Sequence, residues 1–397
     1  MSFFENKNVN LKALKKKAYN LRWAEVEDGV IPLTAADPDF PCPPMVKQAM
    51  FDYIEDGYFS YTPKMGLEEF KISLSKYVKE RKNEEINPEL VLPVDSAARA
   101  MYIIAESVLN KDDEMIVFDP CDFLFRESCL AAGGIPVYYP VKLDPVNRKM
   151  DLSKLEDYIT PKTKMIGLCN PHNPYGLVYT KEELDYIMTL CEKYNLYIMN
   201  DEIWSDIIYS DAKFNSIYCL GNERCNRVLS VFGYSKSFGL AGLRIGCVYT
   251  TDNELFEKMV EASDVMSTAG GATSISQVAA IAAMSNAKEW QAEFINLLES
   301  NRNYAVNFIN NNIPELHAYL PQATYLLYVD INDLEMPATE LVDFLKKEVK
   351  LSVVPGGHNY FGDQSEGHIR ICIATSREIL EEGLNRLKKG VEMLRNN

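Results

Sequence analysis

The sequence predicts an α/β protein, with a mostly parallel sheet between helices in a larger domain and a smaller α+β domain beside it. Two patterns predict this. Through the middle of the chain, short apolar runs alternate with longer helical patterns, as in sheets covered on both faces. Beyond residue 311 the texture changes to short strands grouped around single helices. The length of 397 residues favours two domains and supports a sizeable core, and 47% hydrophobic with 25% charged residues is ordinary for a globular chain.

Taken in order, helical patterns cover 44–53, 66–81, 97–109, 181–194 and 253–261, each with apolar residues recurring at helical spacing. Asp95-Ser96 opens the third, and a serine there suits an N-cap. The apolar runs at 114–118, 135–139, 164–169, 196–200, 227–231 and 247–250 are short enough to be buried strands. An alanine-rich stretch from 274 to about 311 reads as one long helix. Strands then follow at 316–320 and 325–331, a helix at 338–349, strands at 351–354 and 368–373, and an amphipathic helix at 377–394. The expected division is a larger domain at 45–285 and a smaller one from 1–44 with 286–397.

A net charge of −16 argues against binding to nucleic acid or to an anionic membrane. No run approaches the ~18–20 apolar residues of a membrane span. Residues 1–17 are polar and lysine-rich without an apolar core, which points to a cytoplasmic protein with no signal peptide. Nine scattered cysteines without a CxxC pair read as reduced thiols, and four histidines without metal spacing predict no metal.

In open parallel sheets, ligands gather beyond the carboxyl ends of the strands. Asn170, Asp201 and Ser235-Lys236 each stand just past a strand-like run. Lys236 is flanked by small residues, and Arg244 follows eight positions later in a Gly/Ala-rich turn. That pattern suits an amine facing a cofactor aldehyde, with a guanidinium near the cofactor's phosphate. A solvated lysine in a glycine loop is the bland alternative.

Three upstream features and one downstream fit the same site. Cys169-Asn170-Pro171-His172-Asn173-Pro174-Tyr175-Gly176 is a stiff turn after a strand, and one of its amides is placed to bond a ring oxygen. Asp201 ends an apolar run and is suited either to a pyridinium nitrogen or to capping the next helix. Free amides after Ser96 make a site for a phosphate. Arg370, inside a β-like run, is able to fork onto a carboxylate or to form an edge-strand salt bridge.

Together these residues resemble the fold-type I pyridoxal-phosphate enzymes, the aspartate aminotransferase superfamily (aminotransferase class I/II), from Ala35-Ala36-Asp37-Pro38-Asp39-Phe40 to the last helix. The resemblance implies a seven-stranded sheet, a pyridoxal 5'-phosphate cofactor and a Schiff base at Lys236. It places Asp201 at the pyridine nitrogen, Asn173 at the ring hydroxyl, and Ser96, Ala97 and Arg244 at the phosphate, with Ser235 a further cofactor contact. Arg370 matches the anchor for the substrate α-carboxylate, with Ala36 and Asn173 also on the substrate. Tyr61 looks like the tyrosine that reaches the neighbouring subunit's phosphate, which implies a homodimer.

Two positions depart from the family pattern. Trp204 stands where a Tyr or His usually bonds the ring oxygen, and an indole donates a hydrogen bond but does not usefully ionise. Asp122 stands where an aromatic residue usually stacks on the ring, so either Phe123 stacks instead or stacking is lost.

The resemblance implies an aminotransferase that takes an L-amino acid and a 2-oxo acid, with Lys236 as the base at Cα. The segments 21–23, 35–40, 170–174 and 323–327 resemble a cystathionine β-lyase-like branch, so C–S β-elimination is the alternative. The run 237–246 with Arg244 looks like the aminotransferases. Racemase, decarboxylase and cyclase chemistry start from the same carbanion, and a degenerate binding or regulatory protein is the non-enzyme reading. No second arginine for a dicarboxylate is evident, which points to neutral or aromatic amino acids. A dinucleotide-binding dehydrogenase is discounted, because no GxGxxG follows the first strand.

Overall fold

Among the residues described by the computed structural model, 3–267 and 269–395, the larger sheet has seven strands and the second has four. The outermost limits of the expected domains, residues 1 and 397, lie outside these. The strands of the larger sheet are β1 (Val91–Val94), β2 (Glu114–Asp119), β3 (Ile135–Pro140), β4 (Thr163–Cys169), β5 (Tyr197–Asp201), β6 (Val228–Gly233) and β7 (Gly246–Tyr249). Their order across the sheet is β1-β7-β6-β5-β4-β2-β3. Only β7 is antiparallel to its neighbours, so the expected mostly parallel, seven-stranded sheet is present.

The register sets where the site forms. Cys169 lies opposite Asp201, and Asp201 opposite Val231, so β4, β5 and β6 end almost level. The turns that follow them therefore open at one end of the sheet. The strand β1 was not legible in the sequence. It is four residues long and contains Pro93, which donates no hydrogen bond and is tolerated because β1 is an edge strand.

Local signals fix several helix ends. Lys181–Tyr194 begins with a reciprocal capping box between Thr180 and Glu183 and ends at Asn195 in the left-handed region. Ser96 caps Ala97–Val108 through its hydroxyl, which accepts from the Arg99 N–H. The helix Leu124–Ala131 was missed, since its eight residues are too few for a clear period.

The expected single helix from 274 to 311 is two, Ser274–Asn286 and Lys288–Asn312, divided at the buried Ala287. Past the break, Trp290 and Phe294 pack against Phe4, with ring centroids 5.0 and 5.1 Å away. That aromatic packing spans the length of the chain and leaves no trace in local periodicity.

The second sheet contains β8 (His317–Ala318), β9 (Leu326–Asp330), β10 (Val354–Pro355) and β11 (His368–Cys372), antiparallel in the order β8-β9-β11-β10. The expected strand at 351–354 is shared between two partners. Leu351–Ser352 pairs in parallel with Ile31–Pro32, whereas Val354–Pro355 pairs with β11. The N-terminal segment is further tied down by Arg22, whose buried guanidinium pairs with the Asp39 carboxylate, and by the Trp23 indole N–H, 2.6 Å from the same oxygen.

Candidate active site

A cavity of about 520 Å³ opens at the carboxyl ends of β4, β5 and β6. Lys236 lies in the short helix Ser235–Phe238 directly after β6 and Tyr234. Its Nζ donates to the Ala36 carbonyl at 2.8 Å and stands 5.5 Å from the centre of the Trp204 ring. Burial pulls its pKa below the usual lysine value, the Asp37 and Asp122 carboxylates oppose this, and Arg370 adds to it. A lysine so placed is closer to losing its proton than one in water.

Asp201, the last residue of β5, is buried and accepts the Ile203 N–H at 3.0 Å. No helix directly follows Asp201, so the capping alternative for this acid is not realised, and the bond to Ile203 closes a turn. Burial pushes its pKa up to about 7, against the Ile203 N–H and with help from Asp122 and Glu202. A buried carboxyl with one backbone partner and a high pKa is poised to pair with a protonated ring nitrogen.

The phosphate side is built on the N-terminus of Ala97–Val108, whose first-turn N–H groups have no partner within the helix. Arg244 Nη2 donates to the Ser96 hydroxyl at 3.1 Å and approaches the Asp95 carboxylate at 3.9 Å. Gly246 lets this helix end approach β7, because a Cβ there would meet the Ala97 nitrogen at 2.6 Å. Ser96, Ala97, Ser235 and Arg244 all line the cavity.

The opposite wall comes from the second sheet. Arg370 lies in β11 between β9 and β10, not on an edge strand. Its Nη1 donates to Asn173 Oδ1 at 3.2 Å, and the guanidinium lies 4.6 Å from the Phe361 ring centre. Its Nε is buried without a partner. The edge-strand salt bridge is therefore not what this arginine makes, and its remaining donors suit a carboxylate. The Asn173 amide faces two ways, since its Nδ2 donates to Asp122 Oδ2 at 2.9 Å.

Of the residues singled out in the sequence, Lys236, Asp201, Asn173, Ser96, Ala97, Arg244, Trp204, Phe123, Ser235, Arg370 and Ala36 share this cavity. Tyr61 does not line it, and is 90% exposed on a separate surface. Phe123 and Asp122 both reach the cavity, where Phe123 is half-exposed at the start of Leu124–Ala131. Trp204 is buried edge-on to Tyr325 at 4.8 Å. Sequence reasoning missed the wall made by Asn20, Asn359, Tyr360 and Phe361. Asn20 takes a left-handed backbone, and Tyr360 and Phe361 follow Gly356-Gly357, so turn signals are the only trace they leave. Among the described residues no group of His, Cys, Asp and Glu is arranged to hold a metal ion.

The model of the family described as aminotransferase class I and II matches residues 28–387. The chain belongs to this family. An aspartate aminotransferase of Bacillus subtilis (strain 168) is 32% identical over 387 residues, covering 96% of this chain and 95% of the relative. The aromatic aminotransferase of Pyrococcus horikoshii OT3 is 27% identical, with a TM-score of 0.85 over 93% of this chain and 97% of that one. Cystalysin from Treponema denticola, whose crystal structure contains a pyridoxal 5'-phosphate cofactor, covers 99% of this chain and 100% of its own with a TM-score of 0.90. At 23% identity that likeness is one of fold. The protein is an aminotransferase-family enzyme of the fold-type I class.

Proposed function

We propose that the protein is a pyridoxal 5'-phosphate-dependent aminotransferase that takes an L-amino acid and a 2-oxo acid, with Lys236 as its base. The observation that carries this reading is the cavity shared by the Lys236 amine, the Asp201 carboxyl and the Arg370 guanidinium. The residues present fit the cofactor. The free first-turn amides beside Ser96 and Arg244 would hold a phosphate, and the Asp201 carboxyl would meet the ring nitrogen. When bound, pyridoxal 5'-phosphate supplies an electron sink that acidifies the substrate Cα–H.

The chain's own groups do the rest. Arg370 binds the α-carboxylate with the donors Asn173 leaves free. Lys236, its pKa lowered by burial, would take the proton from Cα and pass it on within the site rather than back to Cα, the relocation that transamination requires. The buried Trp204 indole and the half-buried Ala36 shield the amine from bulk water. Conversion of an amino acid and a 2-oxo acid into stoichiometric new amino acid tests this reading. Its failure is the absence of a visible absorbance band that depends on Lys236 in protein supplied with cofactor.

β-Elimination of thiol-bearing amino acids is the second reading, and one observation favours it. Two of the segments with lyase-like sequence, 35–40 and 323–327, meet at the lysine, where the Ala36 oxygen accepts from both Lys236 and the Tyr325 hydroxyl, the latter at 3.1 Å. Release of pyruvate and thiol from cystathionine or cysteine would select it.

Three further proposals accompany the main one. The chain divides into a cofactor-binding domain at 45–285 and a smaller domain from 1–44 with 286–397, as its two main sheets support. It forms a homodimer through the surface carrying Phe51, Ile54, Tyr58, Phe59 and Tyr61, large apolar side chains that are all exposed. Sedimentation of wild type and of Tyr58→Ser tests the dimer. The protein resides in the cytoplasm, in keeping with nine free cysteines and with no described helix long and apolar enough to cross a membrane.

A further inference from the structure

We propose that Asp122 is a specificity-determining residue that excludes substrates with an acidic side chain, so that the site takes amino acids whose side chains are neutral. The inference rests on the reading of Arg370 as the α-carboxylate anchor. Asp122 lines the same cavity as Lys236 and Arg370. Its Oδ1 accepts the Leu124 N–H at 3.1 Å and its Oδ2 accepts the Asn173 amide at 2.9 Å. Both partners are neutral donors, so neither hydrogen bond pairs the carboxyl with a cation.

A single amide separates this acid from the anchor. Asn173 gives its oxygen to Arg370 and its nitrogen to Asp122, so the two charged groups stand on either side of one side chain. A carboxylate docked on Arg370 lies close to Asp122 and is tolerated because the guanidinium neutralises it. A second carboxylate on the same ligand needs a second cation, and of the other two in the cavity Lys236 serves as the reaction's own base while Arg244 serves the phosphate end. Lys236 is bonded to Ala36, and Arg244 stands at the Ser96 end beside Asp95. An acidic side chain would therefore meet Asp122 without compensation, in a cavity where water screens poorly. The other lining includes Leu21, Phe123, Val354 and Phe361, which offer apolar surface to a neutral side chain.

The test uses the holoenzyme and two unreactive probes, succinate for the dicarboxylates and 3-phenylpropionate for the neutral monocarboxylates, titrated by calorimetry. Wild type is expected to bind 3-phenylpropionate at least about tenfold more tightly than succinate. Asp122→Asn and Asp122→Ala each narrow that ratio by about tenfold or more, mainly by strengthening succinate. Three results would overturn the proposal. Succinate binding wild type as tightly as 3-phenylpropionate removes the exclusion, and this measurement needs no variant. A change of both probes by the same factor in both variants makes Asp122 structural. Wild type binding neither probe overturns the anchor and the aminotransferase reading with it, whereas the first two results leave that reading intact.

Discussion

The amine of Lys236 donates to the main-chain carbonyl of Ala36 at 2.8 Å, joining the end of β6 to the N-terminal segment. That segment is itself held by strand pairing of Ile31–Pro32 and by the buried Arg22–Asp39 pair. The reactive amine is thus positioned from both main parts of the chain, and its freedom to move depends on a carbonyl that cannot titrate.

Lys236→Ala is expected to lower kcat by at least about three orders of magnitude and to remove the visible band. Folding should survive, because the substitution deletes a charge that burial disfavours. Steady-state kinetics with absorbance, and urea unfolding of the apoprotein, check the two halves separately.

Asp201 makes apoprotein stability depend on pH. Its folded pKa of about 7 lies above the ordinary aspartate value of 3.8, so between these values the folded state holds the proton more tightly. Stability from this group is fully present below about pH 4 and is lost as pH rises through 7. Asp201→Asn should therefore match wild type at low pH and exceed it at pH 8 by about a few kcal/mol, read from urea unfolding at the two pH values.

Arg370→Lys should lower kcat/KM for every amino donor by about 10²–10³-fold, mostly through KM, because a lysine cannot reproduce the fork. The apoprotein should lose about 1–2 kcal/mol, since a lysine keeps the buried charge but gives up the planar contact with Phe361. Donor-dependent kinetics and thermal melting decide it. An unchanged KM would remove Arg370 from the substrate.

Lys82 lies beneath the site between two buried carboxylates, 2.5 Å from Glu202 and 3.1 Å from Glu84. Burial and then Glu202 push the Glu84 pKa upward. The Tyr249 hydroxyl donates to Glu84 at 2.9 Å and completes the network. Lys82→Met should cost about 3–5 kcal/mol in urea unfolding, because it leaves two acids facing each other without a cation.

Much of this was legible locally. Parallel strands that end level bring together whatever follows them, so Asn170, Asp201 and Lys236 could be grouped from strand-like runs alone. The helix Ala338–Val349 falls at the expected bounds because a strong apolar period spans its whole length. The break at Ala287, the edge strand with Pro93 and the shared strand at 351–355 could not be read. In each, a contact distant in sequence overrides the local pattern.

What the chain determines by itself is the class of chemistry, since the lysine, acid and asparagine stand at or just past the ends of parallel strands that end level, and the two arginines stand in a glycine-rich turn and a β-like run. What only tertiary structure decides is how those groups address one another. The amide of Asn173 faces Asp122 on one side and Arg370 on the other, three residues that are far apart in sequence and lie on separate elements. Hydrogen-bond direction between such residues is fixed by packing of the two sheets, and no local period encodes it.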